Sequence, residues 1–169
     1  VAFVFAFSMR SAVKLTLESR TELTPTVQAL TFRTHRKLSF IPGQYLELDV
    51  PHRHPDARGT RREFSIASAP EDLPLLTVAF KEVPSKKPQS SYKKALAQVV
   101  PGDTLAVTGV WGDFLLPKRA MAPVLMVAAG IGITPFASQL RHIRLAEEDR
   151  DIIVVYVAPD ASELAFREE

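Results

Sequence analysis

The hydrophobic pattern changes its period at Pro123, and this change limits the chain to a fold of two unlike parts. From Ser11 to about Pro117 the chain reads as short strands: apolar residues recur at every second position in "AVKLTLES" and "VQALTFRT", and "GQYLELDVP", "REFSIASA", "LLTVAFKEV" and "DTLAVTGVWGDF" follow. Period two sends alternate side chains to opposite faces, as half-buried strands require. Proline- and charge-rich loops separate the runs, and one short helix, about Ser91 to Val99, interrupts them before Pro101-Gly102. Six closely spaced strands with one helix predict a small antiparallel barrel. Beyond Pro123, "VLMVAAG" is a continuous apolar run, which fits a parallel strand covered on both faces. "TPFASQLRHIRLAEED" then sets Ile133, Phe136, Ala137, Leu140 and Ile143 on one helical stripe, with Thr134 as N-cap and Pro135 in the first turn. "DIIVVYVA" predicts a second buried strand, and "ASELAFREE" the start of another helix. Strand, helix and strand in this order predict a parallel sheet.

Composition narrows the chemistry. The 169 residues contain no cysteine, which excludes disulfides, thiolate catalysis and Cys-ligated zinc or iron–sulfur clusters within this sequence. A net charge of +2 is only mildly basic and does not require a nucleic-acid partner. The first eight residues, "VAFVFAFS", are apolar up to the last and are followed by Arg10 and Lys14. A membrane-spanning helix needs ~20 apolar residues, so this run cannot cross a bilayer alone. It reads either as the end of a membrane helix with cations at the cytoplasmic boundary, or as a buried first strand or leader.

Two constellations could carry chemistry. Alternation puts Arg62 and Phe64 on one face of their strand, with Glu63 and Ser65 on the other. A guanidinium forks onto a phosphate, a ring covers a planar ligand, and a hydroxyl bonds a ring heteroatom. The same residues would equally suit an ordinary strand with a surface arginine. The second constellation is "AAGIGITPF". Glycines at 130 and 132 allow a tight strand-to-helix turn and close approach of a ligand to the backbone. Free amides at Thr134–Phe136 offer partial positive charge to a pyrophosphate. A plain tight turn is the alternative. His52, His54 and Asp56 read as a solvated loop around Pro55, with no metal site. The basic tracts Arg33–Lys37 and Lys86-Lys87 read either as solvated loops or as cations facing a membrane surface or a flavin phosphate, and nothing sets His142 against a nucleophile.

Together, "IPGQYLELDVP", "RREFSIASAP", "SSYKKALAQVVPGDTLAVTGVWGDF" and "AAGIGITPF" resemble the ferredoxin–NADP reductase superfamily in order and spacing, over about Arg10 to Glu169. The resemblance implies an all-β antiparallel six-stranded barrel that binds flavin, residues 10–118, followed by the start of an α/β parallel-sheet nucleotide-binding domain, residues 119–169. Residues 1–9 remain an apolar stub. It implies that Arg62 neutralises the flavin phosphate, Phe64 stacks on the isoalloxazine, and Ser65, the catalytic candidate, reaches flavin N5. Ile66, Ala67 and Ser68 would line the ribityl chain and ring edge. Ser90 and Ser91 would bind the pyrophosphate of FAD, which is expected ahead of FMN. Gly130, Gly132, Thr134 and Pro135 would receive NAD(P)H.

The sequence departs from that family's pattern in four places. Phe64 replaces a tyrosine, Lys87 stands at an expected glycine, Val110-Trp111 replaces Gly-Pro, and the later Cys-Gly element is absent. The last point implies a C-terminally truncated dinucleotide domain. Asp160 and Ser162, with no arginine beside them, lean toward NADH. The expected function is transfer of a hydride from NAD(P)H to FAD, then of single electrons to haem, iron–sulfur or ferric iron. The acceptor could be a fused membrane haem domain, with the flavin part on the cytoplasmic side. The other readings are a non-catalytic flavin carrier or sensor, or a small barrel that binds nucleic acid.

Overall fold

The computed structural model describes residues 12–82, 89–118 and 121–168. The apolar stub, Lys86-Lys87 and the expected boundary at residues 119–120 lie outside the described residues. Strands β1 (Val13–Thr24), β2 (Val27–Thr34), β3 (Tyr45–Asp49), β4 (Arg61–Ser65), β5 (Leu75–Lys81) and β6 (Thr104–Trp111) form one antiparallel sheet, ordered β4-β3-β6-β1-β2-β5. Its two ends approach each other through a single bridge, Ile66 to Val78, and the Ala67 amide donates to the Thr77 carbonyl at 2.8 Å. The six expected strands are present, and the barrel stays open along the seam between β4 and β5.

Alternation builds the core as expected. Leu15, Leu17, Leu30, Phe32, Leu46, Leu48, Leu76 and Val78 are all essentially inaccessible and point to one interior. Burying each such side chain contributes about 1.5–3 kcal/mol, before the entropy of ordering it. Helix α1 (Ser91–Ala97) closes one end by inserting Tyr92 and Leu96, one turn apart, into that interior. Strand β1 extends past the expected "AVKLTLES" to Thr24. Residues 19–23 of its second half pair with β2 and include no buried side chain, so they show no apolar alternation.

The second sheet pairs β7 (Val124–Ala129) with β8 (Ile152–Val157) in parallel, Val124 opposite Ile152. A 3-10 turn, Gly130–Ile133, runs into helix α2 (Thr134–Leu145). Four expectations need correction. The apolar strands are not covered on both faces: Met126 and Ala128 are buried, whereas Leu125, Val127, Ile153, Val155 and Val157 are exposed, because one side of the two-stranded sheet meets no other described element. Thr134 is not an N-cap. Ile133 already has helical dihedrals, so no extended residue precedes α2, and the Thr134 hydroxyl donates to the Ile131 carbonyl at 2.7 Å. The apolar stripe is also only partly right. Ile133 and Ala137 are buried, but Leu140 and Ile143 are half-exposed, and the polar Ser138 and Gln139 are buried instead. The last segment forms a 3-10 turn, Ala161–Glu163, in place of a helix. Thr24 and Thr26 donate to the Glu163 carboxylate, and Phe166 turns the chain back with φ of 60°.

The buried polar face of α2 explains how the two sheets are joined. Ser138 Oγ donates to the Ser68 carbonyl at 2.7 Å, and Gln139 Nε2 to the Phe114 carbonyl at 2.8 Å. Arg141 forks onto Asp72, Nε to Oδ2 and Nη2 to Oδ1, both at 2.6 Å. Burial pushes the Asp72 carboxyl up, but the Arg141 fork and the Ala69 amide outweigh it and hold the group below its ordinary value of 3.8. A carboxyl lowered in the folded state stabilises the fold above its unfolded value and loses that contribution as the pH falls through the folded one. Asp72→Asn should therefore cost about 1–2 kcal/mol at neutral pH. The difference from the unsubstituted chain should hold above the ordinary value of 3.8 and shrink as the pH falls through the lower folded one, as followed by urea unfolding across that range.

Candidate functional site

The register of β3 and β4 sets which side chains can act together. Leu46 stands opposite Phe64, Leu48 opposite Arg62, and Tyr45 opposite Ser65. Leu46 and Leu48 are fully buried, so Arg62 and Phe64 rise from the core side of β4, while Ser65 belongs to the other face with Tyr45. Arg62 and Phe64 meet on one ring. The Arg62 guanidinium lies 4.9 Å from the centroid of Tyr92, and the Phe64 ring lies 6.1 Å from it at 31°. Phe80 of β5 closes the other side of Phe64, edge to face at 6.2 Å. Tyr92 donates its hydroxyl to the Leu48 carbonyl at 3.1 Å, and burial raises its pKa far above that of a free phenol. Sequence reasoning missed Tyr92. Its one signal was the four-residue spacing to Leu96 on an otherwise polar helix.

A loop from Pro51 to Thr60 wraps the start of α1. Ser90 caps that helix by accepting the Lys93 amide at 3.3 Å, and Ser91 Oγ accepts the Asp56 amide at 2.9 Å. His52 turns Nδ1 to the Val50 carbonyl at 2.7 Å and leaves Nε2 buried without a partner among the described residues. His52, Arg53, His54, Ser91 and Lys94 line a depression of about 450 Å³. His52 and Asp56 have separate engagements, and no group of residues that could hold a metal ion occurs among the described residues. Arg62 bonds Asp56 through Nη2, at 2.9 and 3.2 Å. The Arg58 amide and the Arg62 guanidinium hold the Asp56 carboxyl below the usual carboxylate range, against the opposing effect of partial burial.

Ile66, Ala67 and Ser68 continue β4 toward α2 and are buried. Their polar groups are already engaged: the Ile66 amide on the Gln44 carbonyl, the Ala67 amide on Thr77, and the Ser68 carbonyl on Ser138. The second constellation follows β7. Gly130 has φ of 49°, a left-handed value that favours glycine, and its carbonyl accepts the Tyr156 hydroxyl at 3.1 Å. Gly132 is exposed, has no positive φ, and a Cβ there would meet nothing within 4 Å. No contact among the described residues therefore requires glycine at 132, and the open space fits a ligand drawn close to the backbone. Pro135 lies in the first turn of α2, and Thr134 is buried beneath it. Ser138 of α2 bonds Ser68, three residues past Ser65, and so ties α2 to the segment that continues β4.

A cation over a ring, two serines at a helix start and a ring of basic residues form a donor set suited to a phosphorylated aromatic ligand. Comparison with known proteins agrees. The family model described as "Oxidoreductase FAD-binding domain" matches residues 14–115. The reductase component of propane 2-monooxygenase from Mycolicibacterium goodii is 33% identical over 135 residues, 79% of this chain and 36% of that protein. A flavohemoprotein from Bacillus cereus is 29% identical over 131 residues, 77% of this chain and 32% of that protein. The chain thus spans about a third of the length of these curated relatives. In fold, it resembles the FAD/NAD-binding domain of a nitric oxide dioxygenase from Vibrio cholerae, with TM-score 0.78 and 22% identity, over 94% of this chain and 68% of that one. Phthalate dioxygenase reductase gives 0.77 at 24% identity, over 94% and 47%.

Proposed function

Because this chain belongs to the oxidoreductase FAD-binding domain family, we propose that it is the flavin-binding part of an NAD(P)H-dependent oxidoreductase that passes single electrons to an acceptor. Residues 10–118 form the FAD unit and residues 119–169 the start of the dinucleotide unit. The observation that carries this reading is the convergence of Arg62 and Phe64 on Tyr92, in the first turn of α1. Bound FAD supplies the exchange of a two-electron hydride for single electrons. The chain's own residues hold and orient it. Arg62, Ser90 and Ser91 take the phosphate charge, Phe64 covers the ring, and the Ser65 hydroxyl offers a hydrogen bond at the reactive edge. Gly130 and Gly132 let a dinucleotide phosphate approach the backbone. The Ser138 to Ser68 bond keeps the two halves in register.

The relatives extend the reading. The flavohemoprotein, and phthalate dioxygenase reductase with its electron transfer to a 2Fe-2S centre, support a haem or iron–sulfur acceptor supplied outside these residues. Asp160, whose Oδ1 accepts from the amide and hydroxyl of Ser162 at the end of β8, places an acid where a 2′-phosphate would be repelled, which favours NADH. The apolar residues 1–9 are consistent with anchorage on the cytoplasmic side of a membrane, although no helix among the described residues is long and apolar enough to cross one. The test is spectroscopic. The purified chain mixed with FAD should turn yellow and retain the flavin through gel filtration, and NADH should bleach it under argon. Failure to take up FAD or FMN overturns the proposal, and uptake without bleaching reduces the chain to a carrier.

A further inference from the structure

Arg62 presents little unoccupied surface to a phosphate. Nη1 donates to the carbonyls of Arg58, Gly59 and Arg61 at 2.9, 3.2 and 2.6 Å, and Nη2 donates to both oxygens of Asp56. The three carbonyls are backbone groups of the segment that enters β4, so they cannot be exchanged without remaking the loop. The Asp56 carboxylate is a single side chain. We propose that Asp56 is an internal stand-in for the flavin phosphate: it occupies the Arg62 seat in the free chain and must leave for a phosphorylated flavin to bind. This rests on the flavin reading above.

The local geometry supports an exchange over a fixed pair. The loop is pinned beside α1 through the Asp56 amide and Ser91 Oγ, independently of the carboxylate. Arg58 Nη2 lies 3.6 Å from Asp56 Oδ2, so a carboxylate displaced from Arg62 keeps a cationic partner. Arg62 is the more buried of the two guanidiniums, with its side chain 18% exposed against 67% for Arg58. Exchange therefore moves the carboxylate toward the wetter cation and leaves the drier one to the ligand. The carboxylate is ionised at neutral pH and is a true competitor for an anion.

The opposite role, in which Asp56 merely orients Arg62, predicts an effect of opposite sign. Asp56→Asn keeps an oxygen for the Arg58 amide and removes the charge. It should bind FAD and FMN about fivefold more tightly than the unsubstituted chain, with riboflavin, which lacks phosphate, unchanged. Fluorescence titration of the full chain with all three flavins reads this directly. In an Arg62→Ala background the gain should vanish, and Asp56→Ser provides the same test if the asparagine variant does not fold. FAD affinity that falls or stays equal, or a gain shared by riboflavin, overturns the inference. A chain that binds no flavin with or without the substitution overturns the flavin reading, and the inference falls with it.

Discussion

Gly43→Ala should be the most damaging single-methyl substitution in the chain. Gly43 lies in the turn Ile41–Gln44, closed by the Gln44 amide on the Ile41 carbonyl at 3.0 Å, and has φ of 99°. A residue with a side chain is strained there, because such turns require positive φ at their third position. A Cβ would also stand 2.0 Å from the Phe114 carbonyl oxygen and 2.6 Å from Gln139 Nε2, two atoms bonded to each other at 2.8 Å. The methyl would therefore push apart the contact by which α2 grips the barrel. A loss of about 3–5 kcal/mol is expected, or roughly 10 °C in Tm followed by circular dichroism. Gly59→Ala separates strain from collision. Its φ of 71° is also positive, but a Cβ there would meet nothing within 4 Å. It should cost only about 1–2 kcal/mol.

Arg62→Ala should produce the largest change in ligand binding. Losing a charge-assisted contact to phosphate is worth about 1.5–3 kcal/mol, roughly a tenfold to hundredfold loss of FAD affinity. Riboflavin affinity should move by no more than about twofold, since it offers no phosphate to the missing cation. The comparison separates phosphate recognition from general damage, which matters because Arg62 also ties three loop carbonyls and covers Tyr92. Equal losses for FAD and riboflavin would mean that Arg62 holds the loop rather than the ligand.

Wherever one face of an element is wet and the other dry, its sequence was legible. Strand β3 alternates between buried and half-buried residues throughout, and β2 and β5 do so along part of their length, broken where Ala29 and Ala79 are buried as well. The positions of Arg62 and Phe64 on one face followed from the same period. The second half of β1 was not legible, because residues 19–23 bury no side chain fully and their pairing comes from the hairpin alone. The inward face of α2 was misread for a different reason. Its buried Ser138 and Gln139 are satisfied by carbonyls from residues 68 and 114, partners far away in sequence. Asp56 looked like loop solvation for the same reason. Its meaning depends on the loop folding back on Arg62, which no local pattern encodes.

The seam between β4 and β5 has a further consequence for local stability. Strands β4 and β5 end the ladder, and β4 keeps its hydrogen-bonded neighbour β3 whether or not the seam is closed. Beyond β4 the seam is held by the Ile66–Val78 bridge, the Ala67 amide on the Thr77 carbonyl and the Thr77 amide on Ser68 Oγ, whereas at Phe64 it is held by ring packing on Phe80. A planar guest at Phe64 would replace ring contacts and leave the hydrogen-bonded ladder intact. Local opening there can therefore be much less costly than global unfolding, so the barrel can breathe at its binding edge while its interior stays locked.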